Sequence, residues 1–124
     1  MIKIKHLNTK EQKAVGEFIY KIIKKLKSKV VLVKLFGSKA RGDYHKWSDI
    51  DILLVTKDKI RFGSPEDDII AKLKNEIILN YDIYISIVNL SLGEYEKYKN
   101  PPTPFIYWVN KEGINLWQRE KIKT

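Results

Sequence analysis

The stretch Val30–Phe36 constrains the fold more than any other part of this sequence, because all but one of its residues are apolar. Short runs that are this apolar and this rich in β-branched residues are typical of strands covered on both faces. Such a strand needs packed structure on each side. The chain must therefore fold with this segment near the middle of a layered domain.

Amphipathic helices are available to cover this strand. The first is predicted over Thr9–Lys27, where apolar residues recur at three- and four-residue steps. Thr9 and Gln12 form a candidate capping box at its start. A second helix is predicted over residues 64–80, which open on a serine N-cap and a proline. A shorter helix is predicted over residues 105–111.

Further strands alternate with these helices. A second strand is predicted over residues 49–55, and a short last strand is predicted over residues 113–117. Tyr81–Val88 predicts a third strand by its strict alternation, with Ile83, Ile85 and Ile87 on one face. The other face of that strand would carry Asp82, Tyr84 and Ser86. The polar segment Lys39–Lys46 is predicted to be a loop between the first two strands.

The length of 124 residues fits one domain, which we place at residues 1–124. Helices in alternation with strands predict an α/β fold (α+β in some schemes), a small mixed β-sheet covered by helices. The absence of cysteine excludes disulfides, cysteine-ligated metals and thiol nucleophiles. No apolar run approaches the roughly 20 residues that span a bilayer. The start of the chain has no signal-peptide pattern, so we expect a soluble, cytoplasmic protein without a membrane partner.

Positive charge is concentrated in the first part of the chain. The net charge is +9, and residues 1–46 alone hold 13 basic and 3 acidic residues. A basic surface of this kind attracts nucleic acid, nucleotide phosphates or an acidic protein. The same lysines could equally do no more than solvate one face of the first helix.

Three acidic residues are candidates for a metal site. Asp49 and Asp51 lie on the same face of the second predicted strand, about 6.6 to 7 Å apart along the backbone. Asp82 lies on another predicted strand, so the three carboxylates can converge on one sheet face. A cation such as Mg²⁺ would relieve their repulsion. Two such cations can run an in-line displacement at phosphorus.

The dipeptide Gly37-Ser38 follows the buried strand directly. Such a pair is often only a turn, but glycine also lets a backbone approach phosphate oxygens that N–H groups and a hydroxyl can bind. Lys39 and Arg41 would lie within reach of the same anion. Arg41 could instead pair with Asp43. The chain has no P-loop motif.

Together these motifs resemble the minimal nucleotidyltransferase (MNT) family of the DNA polymerase beta-like superfamily. The shared pattern is Gly37-Ser38, then Ala40-Arg41-Gly42, then Ser48 with Asp49-Ile50-Asp51, and a third carboxylate further on. The resemblance covers nearly the whole chain. It implies a nucleotidyltransferase fold and transfer of NMP, with ATP as the expected NTP, to a hydroxyl with release of pyrophosphate.

The resemblance also implies roles for the motif residues. Asp49 and Asp51 would bind two Mg²⁺ ions, with Mn²⁺ as an alternative. Asp82 would bind the second metal ion and help to deprotonate the acceptor. Gly37 and Ser38 would hold the β- and γ-phosphates, and Arg41 is a further candidate phosphate contact by its charge and position.

The acceptor is predicted from size, because 124 residues leave no room for an acceptor-binding domain. Stand-alone members of this family resemble MNT antitoxins, which adenylylate a tyrosine on a HEPN-type toxin. Alternatives are an RNA acceptor, a small molecule held within a homo-oligomer, and a non-catalytic protein that only binds its partner. Trp47 is expected to pack under its loop, and Trp108 and Trp117 in the C-terminal core.

Overall fold

A computed structural model describes residues 3–120 as a four-stranded mixed sheet with helices on both faces. The strand order is β3-β2-β1-β4, in which β1 is antiparallel to β2 and β4, and β2 is parallel to β3. The strands are β1 (Val30–Phe36), β2 (Ile50–Thr56), β3 (Ile85–Ser91) and β4 (Ile114–Gln118). The helices are α1 (Thr9–Leu26), α2 (Ser38–Arg41), α3 (Pro65–Tyr81), α4 (Leu92–Lys99) and α5 (Pro104–Glu112).

β1 has the predicted bounds, whereas β2 begins at Ile50 and ends at Thr56, one residue later than predicted, so Asp49 precedes the strand; both strands are mainly apolar and largely buried. One face of the sheet packs on α1 and α3, with Ile52 and Leu54 at its centre. The other face, which includes Leu53 and Val55, packs on α4 and α5. The prediction of a central strand covered on both sides is therefore confirmed.

The helix caps differ in one place from the sequence analysis. At the start of α1 the capping box is formed by Asn8 and Glu11, one residue before the predicted pair Thr9 and Gln12. Asn8 Oδ1 accepts from the N–H of Glu11 at 2.8 Å, and the Asn8 N–H donates to Glu11 Oε1 at 3.0 Å. At α3 the predicted serine cap is present, because Ser64 Oγ accepts from the N–H of Asp67.

The third strand begins four residues later than predicted, at Ile85 rather than at Tyr81. Helix α3 runs through Tyr81, and Asp82 ends it in the left-handed conformation, with φ 56° and ψ 42°. The N–H of Asp82 donates to the carbonyl of Ile78 at 2.8 Å. Asp82 is therefore a helix C-cap and not a strand residue, so its predicted place on a strand face is wrong.

Within residues 3–120, none of the helices combines the length and the apolar composition that crossing a bilayer requires.

Candidate active site

The end of β1 meets the start of β2 beside Gly37. The antiparallel register pairs Phe36 with Asp51, which brings the residue after β1 against the Asp51 side chain. A Cβ atom built on Gly37 would lie only 2.3 Å from Asp51 Oδ2. Gly37 also has φ +73° and ψ −158°, a conformation that side chains strongly disfavour. The candidate phosphate glycine and a candidate metal ligand are thus in contact.

Asp49 and Asp51 form an electrostatically strained pair. Asp49 is exposed just before β2, whereas Asp51 is half-buried within it. Burial raises the pKa of the Asp51 carboxyl, the charge of Asp49 raises it further, and Arg41 partly offsets both. A half-buried carboxylate whose charge is disfavoured, with a second carboxylate beside it, is a suitable place for a divalent cation, which prefers oxygen ligands.

Asp82 lies at the same end of the sheet as this pair, because it precedes β3, which runs parallel to β2. It is exposed and contributes, with Asp49, to the wall of a cavity of about 610 Å³ that we call the polar cavity. Within residues 3–120, no three His, Asp, Glu or Cys side chains form a group that could hold one metal ion. The expected convergence of three carboxylates is therefore not found, and the strand residue beside Asp51 in β3 is Ser86.

The polar cavity has polar and aromatic walls drawn from the start of α1, from the loop before β2 and from the segment before β3. Its lining residues are Asn8, Lys10, Glu11, Lys46, Trp47, Ser48, Asp49, Ile50, Asp82, Ile83 and Tyr84.

Ser38 begins the short helix α2, which replaces the start of the predicted loop. Gly37 is its N-cap residue, and Gly42 ends it with φ +98°. The first N–H groups of a helix have no partner within the helix. The half-buried Ser38 hydroxyl therefore lies where backbone donors are also available to an anion.

The sequence analysis predicts that Lys39 lies within reach of the phosphates, and this prediction is wrong. Lys39 is buried, and its Nζ forms an ion pair with Glu11 Oε2 at 2.7 Å. The same ammonium lies 3.7 Å from the centroid of the Tyr44 ring. Lys39 therefore ties α2 to the start of α1, because the other carboxylate oxygen of Glu11 belongs to the α1 capping box.

We expect Lys39→Met to destabilise the protein by about 2 kcal/mol, because it leaves Glu11 buried without its cation. The free energy of unfolding in urea measures the effect. Lys13→Met, which changes an exposed lysine of α1, is the control and should alter stability by less than about 0.5 kcal/mol. An equally small effect for Lys39→Met would contradict a structural role for this ion pair.

Arg41 pairs with Asp43, which is the alternative to phosphate binding that the sequence analysis names. Its Nε lies 3.2 Å from both carboxylate oxygens of Asp43, and both side chains are largely exposed. Arg41 is still near enough to Asp51 to lower the pKa of that carboxyl. It therefore stands beside the carboxylate pair, held by a surface ion pair that costs little to break.

A second cavity, of about 390 Å³, opens next to Gly37. We call it the aromatic cavity. Its lining residues are Phe36, Gly37, Arg41, Pro104, Phe105, Trp108, Val109 and Glu112.

The tryptophans depart from the sequence analysis in two of three cases. Trp108 is 50% exposed and Trp47 is 79% exposed, whereas Trp117 packs against the core. The sequence contained a signal for the aromatic cavity, because Phe105, Trp108 and Glu112 lie on one face of a helix. The sequence analysis instead places Trp108 in the C-terminal core.

Comparisons with known proteins identify the family of the chain. The family model "Nucleotidyltransferase domain" matches residues 19–112, about three quarters of the chain. The "Putative protein adenylyltransferase MJ0141" of Methanocaldococcus jannaschii is 42% identical over 102 residues, covering 82% of this chain and 94% of that protein. The "Putative protein adenylyltransferase MJ0604" of the same organism is 36% identical over 78 residues, covering 63% of this chain and 71% of that protein.

A solved structure shares the fold. In the structure of a tri-AMPylated Shewanella oneidensis HEPN toxin in complex with its MNT antitoxin, the matching chain has a TM-score of 0.50 and 20% identity. The match covers 87% of this chain and 72% of that one. The family match begins within α1 and spans β1 to β3 and α2 to α5. The chain therefore belongs to the nucleotidyltransferase domain family and is an enzyme of that class.

Proposed function

We propose that this enzyme transfers AMP from ATP to a tyrosine hydroxyl of a HEPN-type toxin and thereby acts as an antitoxin. The observation that carries the nucleotidyl transfer is the contact between Gly37 and the Asp51 carboxylate, beside Asp49. This contact places a candidate phosphate-binding turn against a candidate metal ligand. A cytoplasmic setting, where ATP and Mg²⁺ are at hand, fits this reaction.

The metal requirement is argued from the donor set. Asp49 and Asp51 would hold Mg²⁺ or Mn²⁺, since Mg²⁺ in nucleotide enzymes is commonly bound by one or two carboxylates together with substrate phosphates. The ion would neutralise charge on the reacting phosphates. Within residues 3–120, the pair Asp49 and Asp51 provides ligands for one ion. The second ion that the resemblance implies would need Asp82 or further ligands from the substrate.

The chain's own groups would position the nucleotide. Gly37 lets the backbone approach the β- and γ-phosphates, and the Ser38 hydroxyl and the N–H groups at the start of α2 can donate to them. Arg41 can exchange the Asp43 carboxylate for a phosphate, because its present ion pair is exposed. Lys39 is left out, because it is buried on Glu11.

The transfer step needs a group that takes a proton. The acceptor oxygen attacks the α-phosphorus, and a new P–O bond forms. The bond from the α-phosphorus to the oxygen that bridges to the β-phosphate breaks, and pyrophosphate leaves with that oxygen. We assign the proton of the acceptor hydroxyl to Asp82, because this carboxylate is exposed in the polar cavity beside Asp49. The position of Asp82 supports this role better than direct metal binding.

We expect Asp82→Asn to slow transfer by about 100-fold or more while ATP binding and thermal stability change little. Asparagine tolerates the left-handed conformation that residue 82 adopts, so the fold should be kept. Single-turnover transfer rates measure the effect. Asp68→Asn changes an exposed aspartate at the other end of α3 and should transfer at the wild-type rate. An unchanged rate for Asp82→Asn would remove Asp82 from the reaction.

A protein acceptor is supported by the relatives, which are named as protein adenylyltransferases. The HEPN-type partner is supported by the solved complex, in which an MNT antitoxin is bound to an AMPylated HEPN toxin. Basic residues at the start of the chain can contribute by attracting an acidic partner surface.

The test is transfer of label from α-³²P-ATP in the presence of Mg²⁺ and lysate of the source organism, with the Asp49→Asn variant alongside. We expect a labelled band that is sensitive to protease, that is absent with Asp49→Asn, and that carries the label on tyrosine. Label sensitive to nuclease would move the acceptor to RNA, and label on a small product would indicate a small-molecule acceptor. No label with any NTP would favour a non-catalytic binding protein.

A further inference from the structure

The aromatic cavity is continuous with the candidate active site. Gly37 belongs to both, because its Cα faces the Asp51 carboxylate and its backbone forms part of the cavity wall. Arg41 also lines the cavity and lies near enough to Asp51 to affect its pKa. A molecule whose phosphates lie at Gly37 can therefore extend directly into this cavity.

The walls of the aromatic cavity offer flat apolar surface. Phe36, the last residue of β1, packs edge-to-face on Phe105 with ring centroids 5.3 Å apart. Trp108 remains 50% exposed and Phe105 remains 40% exposed. Ligand cavities in proteins commonly hold about 300 to 1,000 Å³. The 390 Å³ of this cavity is therefore enough for one ring system but not for a large ligand.

The Trp108 ring is in contact with two neighbours on its own helix, Tyr107 and Lys111. The ring lies edge-to-face against Tyr107, with centroids 5.1 Å apart and an angle of 87° between the planes. Lys111 Nζ lies 5.3 Å from the same ring. An exposed indole that neighbouring groups hold in one orientation loses little entropy when a planar ligand stacks on it.

We propose that the aromatic cavity holds the nucleobase of the NTP, with the base stacked on Trp108 while the phosphates lie at Gly37 and Ser38. This inference rests on the proposed nucleotidyl transfer and adds the place and the means by which the base is bound. Stacking accepts any base, because every base has a π face. The cavity therefore raises affinity for nucleotides as a class.

The polar cavity is the competing place for the base, because it also contains exposed aromatic rings, those of Trp47 and Tyr84. It has charged residues of both signs along its walls and holds Asp82. A hydroxyl acceptor and its proton acceptor need such a polar surface. The wall of the aromatic cavity has fewer charged residues, Arg41 and Glu112, and more aromatic surface. We therefore assign the base to the aromatic cavity, beside Gly37, and the acceptor to the polar cavity, beside Asp49.

The experiment compares equilibrium binding of Mg²⁺-ATP with that of Mg²⁺-tripolyphosphate, which has the phosphates but no base. For Trp108→Ala we expect the Kd for ATP to rise about ten-fold, as when a stacking ring is removed, with no change for tripolyphosphate. Trp108→Phe keeps a ring and should retain most of the affinity. Phe62→Ala removes a fully exposed aromatic ring that lines neither the aromatic cavity nor the polar cavity, so it is the control and should bind both ligands as the wild type does.

Circular dichroism and thermal unfolding verify that each variant is folded. Unchanged ATP affinity in folded Trp108→Ala would overturn the inference, as would an equal loss for ATP and tripolyphosphate. A loss of ATP affinity in Trp47→Ala, with Trp108→Ala unaffected, would move the base to the polar cavity. If the wild-type protein bound neither ligand, the proposed transfer itself would fail, and the base site with it.

Discussion

Replacing Asp51 with asparagine is expected to abolish nucleotidyl transfer and, at the same time, to make the folded protein more stable. The loss of rate should exceed about 1,000-fold, because the variant lacks one of the two carboxylates assigned to the metal ion. The gain in stability follows from electrostatics. Asparagine removes a half-buried negative charge that faces Asp49, and it keeps the shape of the side chain.

The stability difference between the wild type and Asp51→Asn is expected to depend on pH in a definite direction. Burial, with the charge of Asp49, raises the pKa of Asp51 above its ordinary value of 3.8. A carboxyl with a higher pKa in the folded state binds its proton more tightly there than in the unfolded chain. The wild type therefore loses stability relative to Asp51→Asn as the pH rises from 3.8 through the raised pKa, and the difference is largest above it.

Thermal unfolding at several pH values, with and without Mg²⁺, measures both effects. We expect Mg²⁺ to raise the Tm of the wild type, because a cation relieves the repulsion between Asp49 and Asp51, and to leave Asp51→Asn unchanged. Asp58→Asn, an exposed aspartate after β2, is the matched control and should behave as the wild type. Full transfer activity in Asp51→Asn would refute the metal assignment.

Gly37→Ala is expected to damage both the fold and the reaction. The new methyl group would lie 2.3 Å from Asp51 Oδ2 and 3.1 Å from Asp51 Cγ, so the carboxylate must move. Alanine is also strained at φ +73°. We expect a loss of about 2 kcal/mol in the free energy of unfolding from the backbone strain. We also expect transfer to slow by about 100-fold or more from the displaced ligand.

Urea unfolding and single-turnover transfer on the same preparation measure the two losses. Gly93→Ala is the matched control, because the nearest atom to its new methyl group would be Ser91 Oγ at 3.9 Å and its backbone needs no positive φ. That variant should keep wild-type activity. A Gly37→Ala variant that is destabilised but fully active would show that Gly37 serves the turn alone.

The parts of the fold that were predicted well are those encoded by neighbouring residues. The ends of β1 are those expected, because Val30–Phe36 is an apolar run that stops at a glycine. The start of α3 is also as expected, because the Ser64-Pro65 pair is a local signal. The two motifs lie at the same end of the sheet because β1 and β2 are consecutive, short and antiparallel. Gly37-Ser38 follows the end of β1, and Asp49-Ile50-Asp51 is at the start of β2.

The errors concern features that a local pattern does not encode. Residues 82–88 alternate in the same way whether Asp82 starts a strand or ends a helix, and the left-handed conformation of Asp82 decides between the two. The burial of Lys39 depends on Glu11, which is distant in sequence. The spacing around Trp108 defines a helix face, but whether the sheet is wide enough to cover that face is a tertiary property.

The pairing of β1 with β2 has a consequence for how such an enzyme can change its target. Gly37, Ser38, Asp49 and Asp51 all come from this pair and its connection, within 15 consecutive residues. Much of each cavity wall lies outside this stretch, at the start of α1, in α5 and in the segment before β3 that follows Asp82. Mutation and selection can therefore reshape these outer walls without altering the residues that we propose bind the phosphates and the metal ion.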